Sequence, residues 1–89
     1  MPKKITAADV LANARNCDWS DAAFAFRIVN NAGDGFDPEG DLGTLIGSED
    51  GLSVYDDDGD AVIVDDDGAW AVRISADEPV TYDDGARPA

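Results

Sequence analysis

The sequence predicts an α+β domain, with one N-terminal helix packed on one face of a four- to five-stranded antiparallel β-meander. Three observations lead there. Residues 6 to 16 carry an apolar stripe of helical period, residues beyond 42 break into short β-type runs, and Asp-Gly steps stand between those runs. With 89 residues, the chain has room for one modest core and no second domain.

The first element opens with Thr6, followed three residues later by Asp9, a capping signal that also places an acid where the helix dipole favours it. Ala7, Val10, Leu11 and Ala14 then fall at i, i+3, i+4 and i+7, which predicts a helix over 6–16. Cys17 is the one cysteine, so an internal disulfide and the usual paired zinc ligands are excluded, and it reads as a small buried core residue. In SDAAFAFRIVNN, Phe24, Phe26 and Ile28 alternate with Ala25, Arg27 and Val29. That alternation predicts a strand over 22–30, the alternative being a second helix capped by Ser20.

Residues 30 to 43, NNAGDGFDPEGDLG, hold four glycines and a proline and read as a loop, with Phe36 its anchor to the core. Beyond it, Leu42–Ile46, Leu52–Tyr55, Ala61–Val64 and Trp70–Ser75 read as strands. The steps Asp50-Gly51, Asp58-Gly59 and Asp67-Gly68 separate them as hairpin turns, since a type I′ turn needs positive φ at both central residues. On the last strand Trp70, Val72 and Ile74 share a face, and Arg73 points the other way to pair with an aspartate across the sheet. A compact domain is expected over 1–75. Residues 76–89 are expected to form an acidic tail or, through Val80 to Tyr82, an edge strand.

The charge is lopsided. The net is -14, with seventeen aspartates and three glutamates against six lysines and arginines. Residues 1–30 set Lys3, Lys4, Arg15 and Arg27 against Asp9, Asp18 and Asp21, whereas residues 31–89 hold only Arg73 and Arg87 against the remaining seventeen acids. Such a field repels nucleic acid and anionic membrane and draws cationic partners. The densest stretch is DDDGDAVIVDDD, where Asp56, Asp57, Asp58, Asp60, Asp65, Asp66 and Asp67 bracket four consecutive apolar residues. In a meander these acids form two rims: Asp56, Asp57, Asp58 and Asp60 at one end of strand 61–64, and Asp65, Asp66 and Asp67 at the other, joined by Glu49 and Asp50. Strand rise sets the rims roughly 13 to 23 Å apart. Two carboxylates ~6 Å apart in water repel by about 0.7 kcal/mol. One Asp-Gly satisfies each turn, so Asp56, Asp57, Asp65 and Asp66 read as surplus to the hairpins.

Several chemistries are disfavoured. The chain has no histidine, so no Ser/His or Cys/His arrangement exists, and carboxylates in solvated turns lack the burial that separates an acid from a base. No enzyme and no cofactor is expected. Asp56, Asp58 and Asp60 have the spacing that begins a calcium loop, but the sixth and twelfth positions are Ala61 and Asp67, not the glycine and glutamate such a loop needs. GDGFDPEG lacks phosphate-loop spacing, and its acids would repel a phosphate. The opening MPKKITAAD has no apolar stretch of a signal or span, and the expectation is a soluble cytoplasmic protein.

Two readings of the acid remain. One is a salt-adapted surface, which should be acidic throughout and is not acidic over the first thirty residues. The other is mimicry: carboxylates held at phosphate-like separations compete for the Lys/Arg groove of a basic nucleic-acid-binding protein, such as a nuclease or a CRISPR effector complex, whose grip on DNA is largely phosphate electrostatics. The site expected to carry this is Asp56, Asp57, Asp58, Asp60, Asp65, Asp66 and Asp67, extended by Glu49 and Asp50. In size, charge and lack of motifs the chain resembles small phage-encoded anti-restriction and anti-CRISPR proteins, several of which act as DNA mimics. The resemblance implies a non-enzymatic inhibitor working in the host bacterial cytoplasm.

Overall fold

The computed structural model describes residues 2–67 and 69–83, with backbone alone at Pro2, Lys3 and Asp83. Gly68, the expected turn glycine, and residues 84–89 of the expected tail lie outside them. The element order is β1 (Pro2–Ile5), α1 (Ala7–Arg15), α2 (Ser20–Asn31), β2 (Thr44–Glu49), β3 (Leu52–Asp57), β4 (Asp60–Asp65), β5 (Trp70–Ile74) and β6 (Val80–Asp83). The fold is α+β, built on a four-stranded antiparallel sheet in the order β2-β3-β4-β5 and a two-stranded ribbon of β1 and β6.

Helix α1 forms as its sequence dictates. Thr6 Oγ1 accepts from the Asp9 backbone N–H at 3.0 Å, and the Thr6 N–H donates back to Asp9 Oδ2 at 3.4 Å, so each residue caps an otherwise orphaned amide. Ala7, Val10, Leu11 and Ala14 are buried against β2, β3 and β4. The helix stops because Cys17 turns left-handed at φ 62, letting the Asp18 N–H reach Asn13 O at 2.8 Å and the Cys17 N–H reach Ala14 O at 3.1 Å. Cys17 is therefore exposed, not the buried core thiol its composition suggested: it occupies the position where the chain swings away from the helix.

The strand expected over 22–30 is a helix, α2. Its buried residues are Ala22, Phe24, Ala25 and Val29, and Ala22, Ala25 and Val29 form a helical stripe that period-2 reasoning split between two faces. Alanines favour helix, and no glycine or proline interrupts the run from Asp18 to Asn31. Ser20 is the first helical residue, and Asp18 Oδ1 accepts from its N–H at 3.1 Å and its hydroxyl at 2.7 Å. The helix ends in the same motif as α1, with Gly33 at φ 85 in the left-handed position and the Asp34 N–H bonded to Val29 O at 3.2 Å. α2 packs on β5 and β6, so the helical layer has two members rather than one.

The meander follows the turn chemistry. Glu49 pairs with Leu52 and Asp57 with Asp60, leaving the two-residue loops Asp50-Gly51 and Asp58-Gly59, all four residues at positive φ. The β4–β5 connection is longer: Asp65 pairs with Trp70, and Ala69 takes the positive φ of 50. Both faces of the sheet are covered. Val54, Ala61, Ile63, Val72 and Ile74 lie beneath the helices with Ile5 and Tyr82, whose ring meets Phe24 edge-on at 4.8 Å. Val62, Val64 and Ala71 lie on the opposite face beneath Phe36, Leu42 and Tyr55. The 32–43 loop crosses that second face, and Phe36 exchanges two 2.9 Å backbone hydrogen bonds with Ala71 along the free edge of β5. Its Gly35 has no room for a side chain, because a Cβ there would overlap the Trp70 indole. Double coverage explains AVIV in β4: a central strand buried on both faces reads as a continuous apolar run. Burial of Val62, Ile63 and Val64 contributes about 1.5–3 kcal/mol each.

The candidate edge strand at Val80 to Tyr82 is β6, paired with β1 through Ile5↔Val80 and Lys3↔Tyr82. β1 was not legible, being four residues of which two are lysines. Among the described residues no helix is long and apolar enough to cross a membrane.

Candidate functional site

The hairpins place the acids on two ends of the meander, as the turn pattern required. Asp56, Asp57, Asp58 and Asp60 surround the β3–β4 turn, and Glu49, Asp50, Asp65, Asp66 and Asp67 gather where the β2–β3 and β4–β5 turns lie side by side. Five residue steps along β4, about 16 Å, separate Asp60 from Asp65.

The β3–β4 end is partly neutralised from within, by two arginines against four aspartates. Asp56 shares the helix-facing side of the sheet with Ala61, and its Oδ2 takes Arg15 Nη2 at 2.8 Å while its Oδ1 accepts the Gly59 N–H at 2.9 Å. Asp57 and Asp60 are cross-strand neighbours on the opposite face, where two carboxylates side by side repel. Arg73, extending from β5 on that face, bridges them at 2.9 and 3.0 Å. The Asp60 carboxyl is held below its usual range, first by the Ala76 backbone N–H donating to Oδ1 at 2.8 Å and then by Arg73. The guanidinium is in turn pushed above its ordinary value, chiefly by its hydrogen bond to Asp57. Asp58 stands exposed at the turn tip. The cross-sheet partner expected for Arg73 is therefore present twice over, whereas the role of Arg15 was not legible, since it depends on α1 ending beside β3.

The other end is ordered by neutral donors instead. Ser48 and Ser53 are cross-strand partners with their Oγ atoms 2.8 Å apart, and Ser53 Oγ donates to Asp66 Oδ2 at 2.9 Å. The Asp66 N–H donates to Gly51 O at 2.8 Å, tying the two turns together. Asp65 Oδ1 accepts the Asp67 N–H at 3.1 Å, and a Cβ on Gly51 would sit 3.1 Å from Asp67 Oδ2, so that carboxylate lies over the neighbouring turn. Among the described residues, no lysine or arginine pairs with Glu49, Asp50, Asp66 or Asp67. Ser53 is the signal that sequence reasoning passed over: a buried polar residue, 4% exposed, in an otherwise apolar strand.

This geometry corrects the reading of Asp56, Asp57, Asp65 and Asp66 as surplus to the hairpins. Each has a local partner: Arg15 and Gly59, Arg73, the Asp67 amide, and Ser53. The calcium-like spacing of Asp56, Asp58 and Asp60 does not close on a point, because Asp56 and Asp60 engage partners on opposite faces of the sheet. Among the described residues no group of three or more potential ligands is placed to hold a metal ion. Phe36 anchors its loop as expected, packing with Tyr55 on the second face of the sheet.

No family model, curated protein or solved structure matches this chain.

Proposed function

We propose that the chain is a non-enzymatic inhibitor that competes with nucleic acid for a basic groove, as a nuclease or CRISPR effector offers, and that the Glu49, Asp50, Asp65, Asp66 and Asp67 end leads the contact. The observation that carries this reading is the pair of turns tied by the Ser48–Ser53–Asp66 chain and the Asp66 amide, which bring Glu49, Asp50, Asp66 and Asp67 together where no described lysine or arginine pairs with them. A carboxylate already ordered by a neutral donor, as Asp66 is by Ser53, keeps its charge for a partner and loses little freedom on binding. Asp56, Asp57, Asp58 and Asp60 extend the field from the far end, damped by Arg15 and Arg73.

The test is capture by a panel of nucleases and CRISPR effector complexes, comparing a second-end variant (Glu49→Gln with Asn at 50, 65, 66 and 67) with a first-end variant (Asn at 56, 57, 58 and 60). Asn and Gln keep an acceptor oxygen, so the turn hydrogen bonds survive. The second-end variant is expected to lose capture and the first-end variant to keep most of it; equal retention by both removes the electrostatic mechanism.

Salt adaptation is favoured by a separate observation: Asp34, Asp37, Glu39, Asp41, Asp77 and Glu78 are exposed away from the turns. It requires stability that climbs with molar salt and no basic partner.

A further inference from the structure

A groove of about 470 Å³ opens directly beside the second acidic end, where the α1–α2 connection meets β2 and β3. Trp19 forms its apolar wall together with Leu52, while Glu49 and Asp50 supply carboxylates at its edge, Asp18 in the lining is engaged with Ser20, and the Cys17 thiol is exposed there. The indole packs on the core and lies close over β2: a Cβ on Gly47 would sit 3.0 Å from Trp19 Cη2, beside the irregularity in β2 pairing between Leu45 and Gly47. A purely apolar slot would call for an apolar guest, and a bare acidic rim would accept any cation. An indole wall with carboxylates at its edge fits a planar cation that stacks and hydrogen-bonds at once, which describes the guanidinium better than the ammonium group.

We propose that this groove is an arginine-accepting slot, through which a basic partner is gripped by one arginine side chain while the neighbouring turns face the rest of its positive surface. The inference rests on the acidic-end reading above and adds to it a preference for arginine over lysine. Glu49 and Asp50 serve both surfaces, and Trp19 belongs to the slot alone.

The experiment uses hexa-arginine and hexa-lysine peptides as probes of the full chain, followed by the two tryptophan indole N–H resonances in a ¹⁵N NMR titration at low salt. Hexa-arginine should shift the Trp19 signal and leave that of Trp70, which is bonded to Asn30 at the opposite, C-terminal end of α2, and should bind about threefold to fivefold tighter than hexa-lysine. Trp19→Leu should abolish that preference. Because Trp19 also packs on the core, a second perturbation is needed: N-ethylmaleimide on Cys17 fills the groove from its lining, and should bring hexa-arginine down to the hexa-lysine affinity, while Cys17→Ser, which the reagent cannot alkylate, should give the same affinities before and after treatment. Equal binding of the two peptides, with shifts at residues 65–67 and none at Trp19, overturns the slot and leaves the acidic end standing. Failure of both peptides to bind at this end overturns the slot and the acidic-end reading together.

Discussion

The two ends of the meander carry nearly the same residues and solve the same problem in opposite ways. At the β3–β4 end, crowded aspartates are partly offset by Arg15 and Arg73, and the acids become part of how the sheet is held to its helix and to the 75–78 turn. At the other end, a serine pair orients the Asp66 carboxylate and a backbone amide that of Asp65, and no described lysine or arginine pairs with Glu49, Asp50, Asp66 or Asp67. Composition cannot separate these cases, because a run of aspartates is structural where an arginine reaches it and available to a partner where none does. The contrast suggests that acid density is a poor guide to function until the cations are placed.

The largest effect that would break this contrast is on binding. Neutralising the second end should weaken capture by at least about tenfold, equivalent to ~1.4 kcal/mol, and neutralising the first should change it much less. If the two losses are equal, the ends are equivalent to a partner and the arginines are incidental.

Next in size is the arginine itself. Arg73→Gln leaves Asp57 and Asp60 opposed with no cation between them, and should lower urea-unfolding stability by about 1 kcal/mol at low ionic strength, less as salt is added, since the pair is partly exposed. A comparable loss on converting Asp66 to Asn would show that the second end is equally dependent on charge. It is expected to change little, because the Ser53 hydroxyl can donate to the amide oxygen.

The helix ends sharpen the picture from another side. Gly33 and Cys17 hold the same left-handed position after α2 and α1, yet one has no Cβ to strain. Cys17→Gly should stabilise the fold by up to about 1 kcal/mol in a thermal or urea titration, and the slot's lining would lose its thiol without loss of the carboxylates.

The smallest effect concerns pH. Because the folded Asp60 carboxyl ionises below its unfolded value near 3.8, its contribution to stability is present above that pH and disappears as acid carries the protein through the lowered folded pKa. Wild type and Asp60→Asn should therefore differ at neutral pH and converge in strong acid. A gap that persists there would mean the Ala76 and Arg73 contacts do not depend on the ionised form.

Local chemistry made much of the fold legible. The Thr6–Asp9 cap, the Asp-Gly turns and the alternation on Trp70, Val72 and Ile74 each specify their element within a few residues. What was hidden depends on distant pairing. Phe24, Phe26 and Ile28 alternate by coincidence inside a helix whose real signature is the Ala22, Ala25, Val29 stripe. Strand β1 exists because β6 lies beside it, and two lysines in four residues give no sign of that. The acidic ends were legible in position, since turns fix where aspartates sit. Their difference was not, because Arg15 reaches Asp56 from a helix that sequence order does not set beside β3, and Ser53 is a single polar residue whose bond to Asp66 depends on exact register.

Mutual exclusion on a captured target probes the proposed mimicry most directly. Duplex DNA titrated into the complex should release this protein, at a concentration that tracks the target's own affinity for DNA as salt is varied. A stable ternary complex, with DNA and this chain bound to the same target at once, would contradict it.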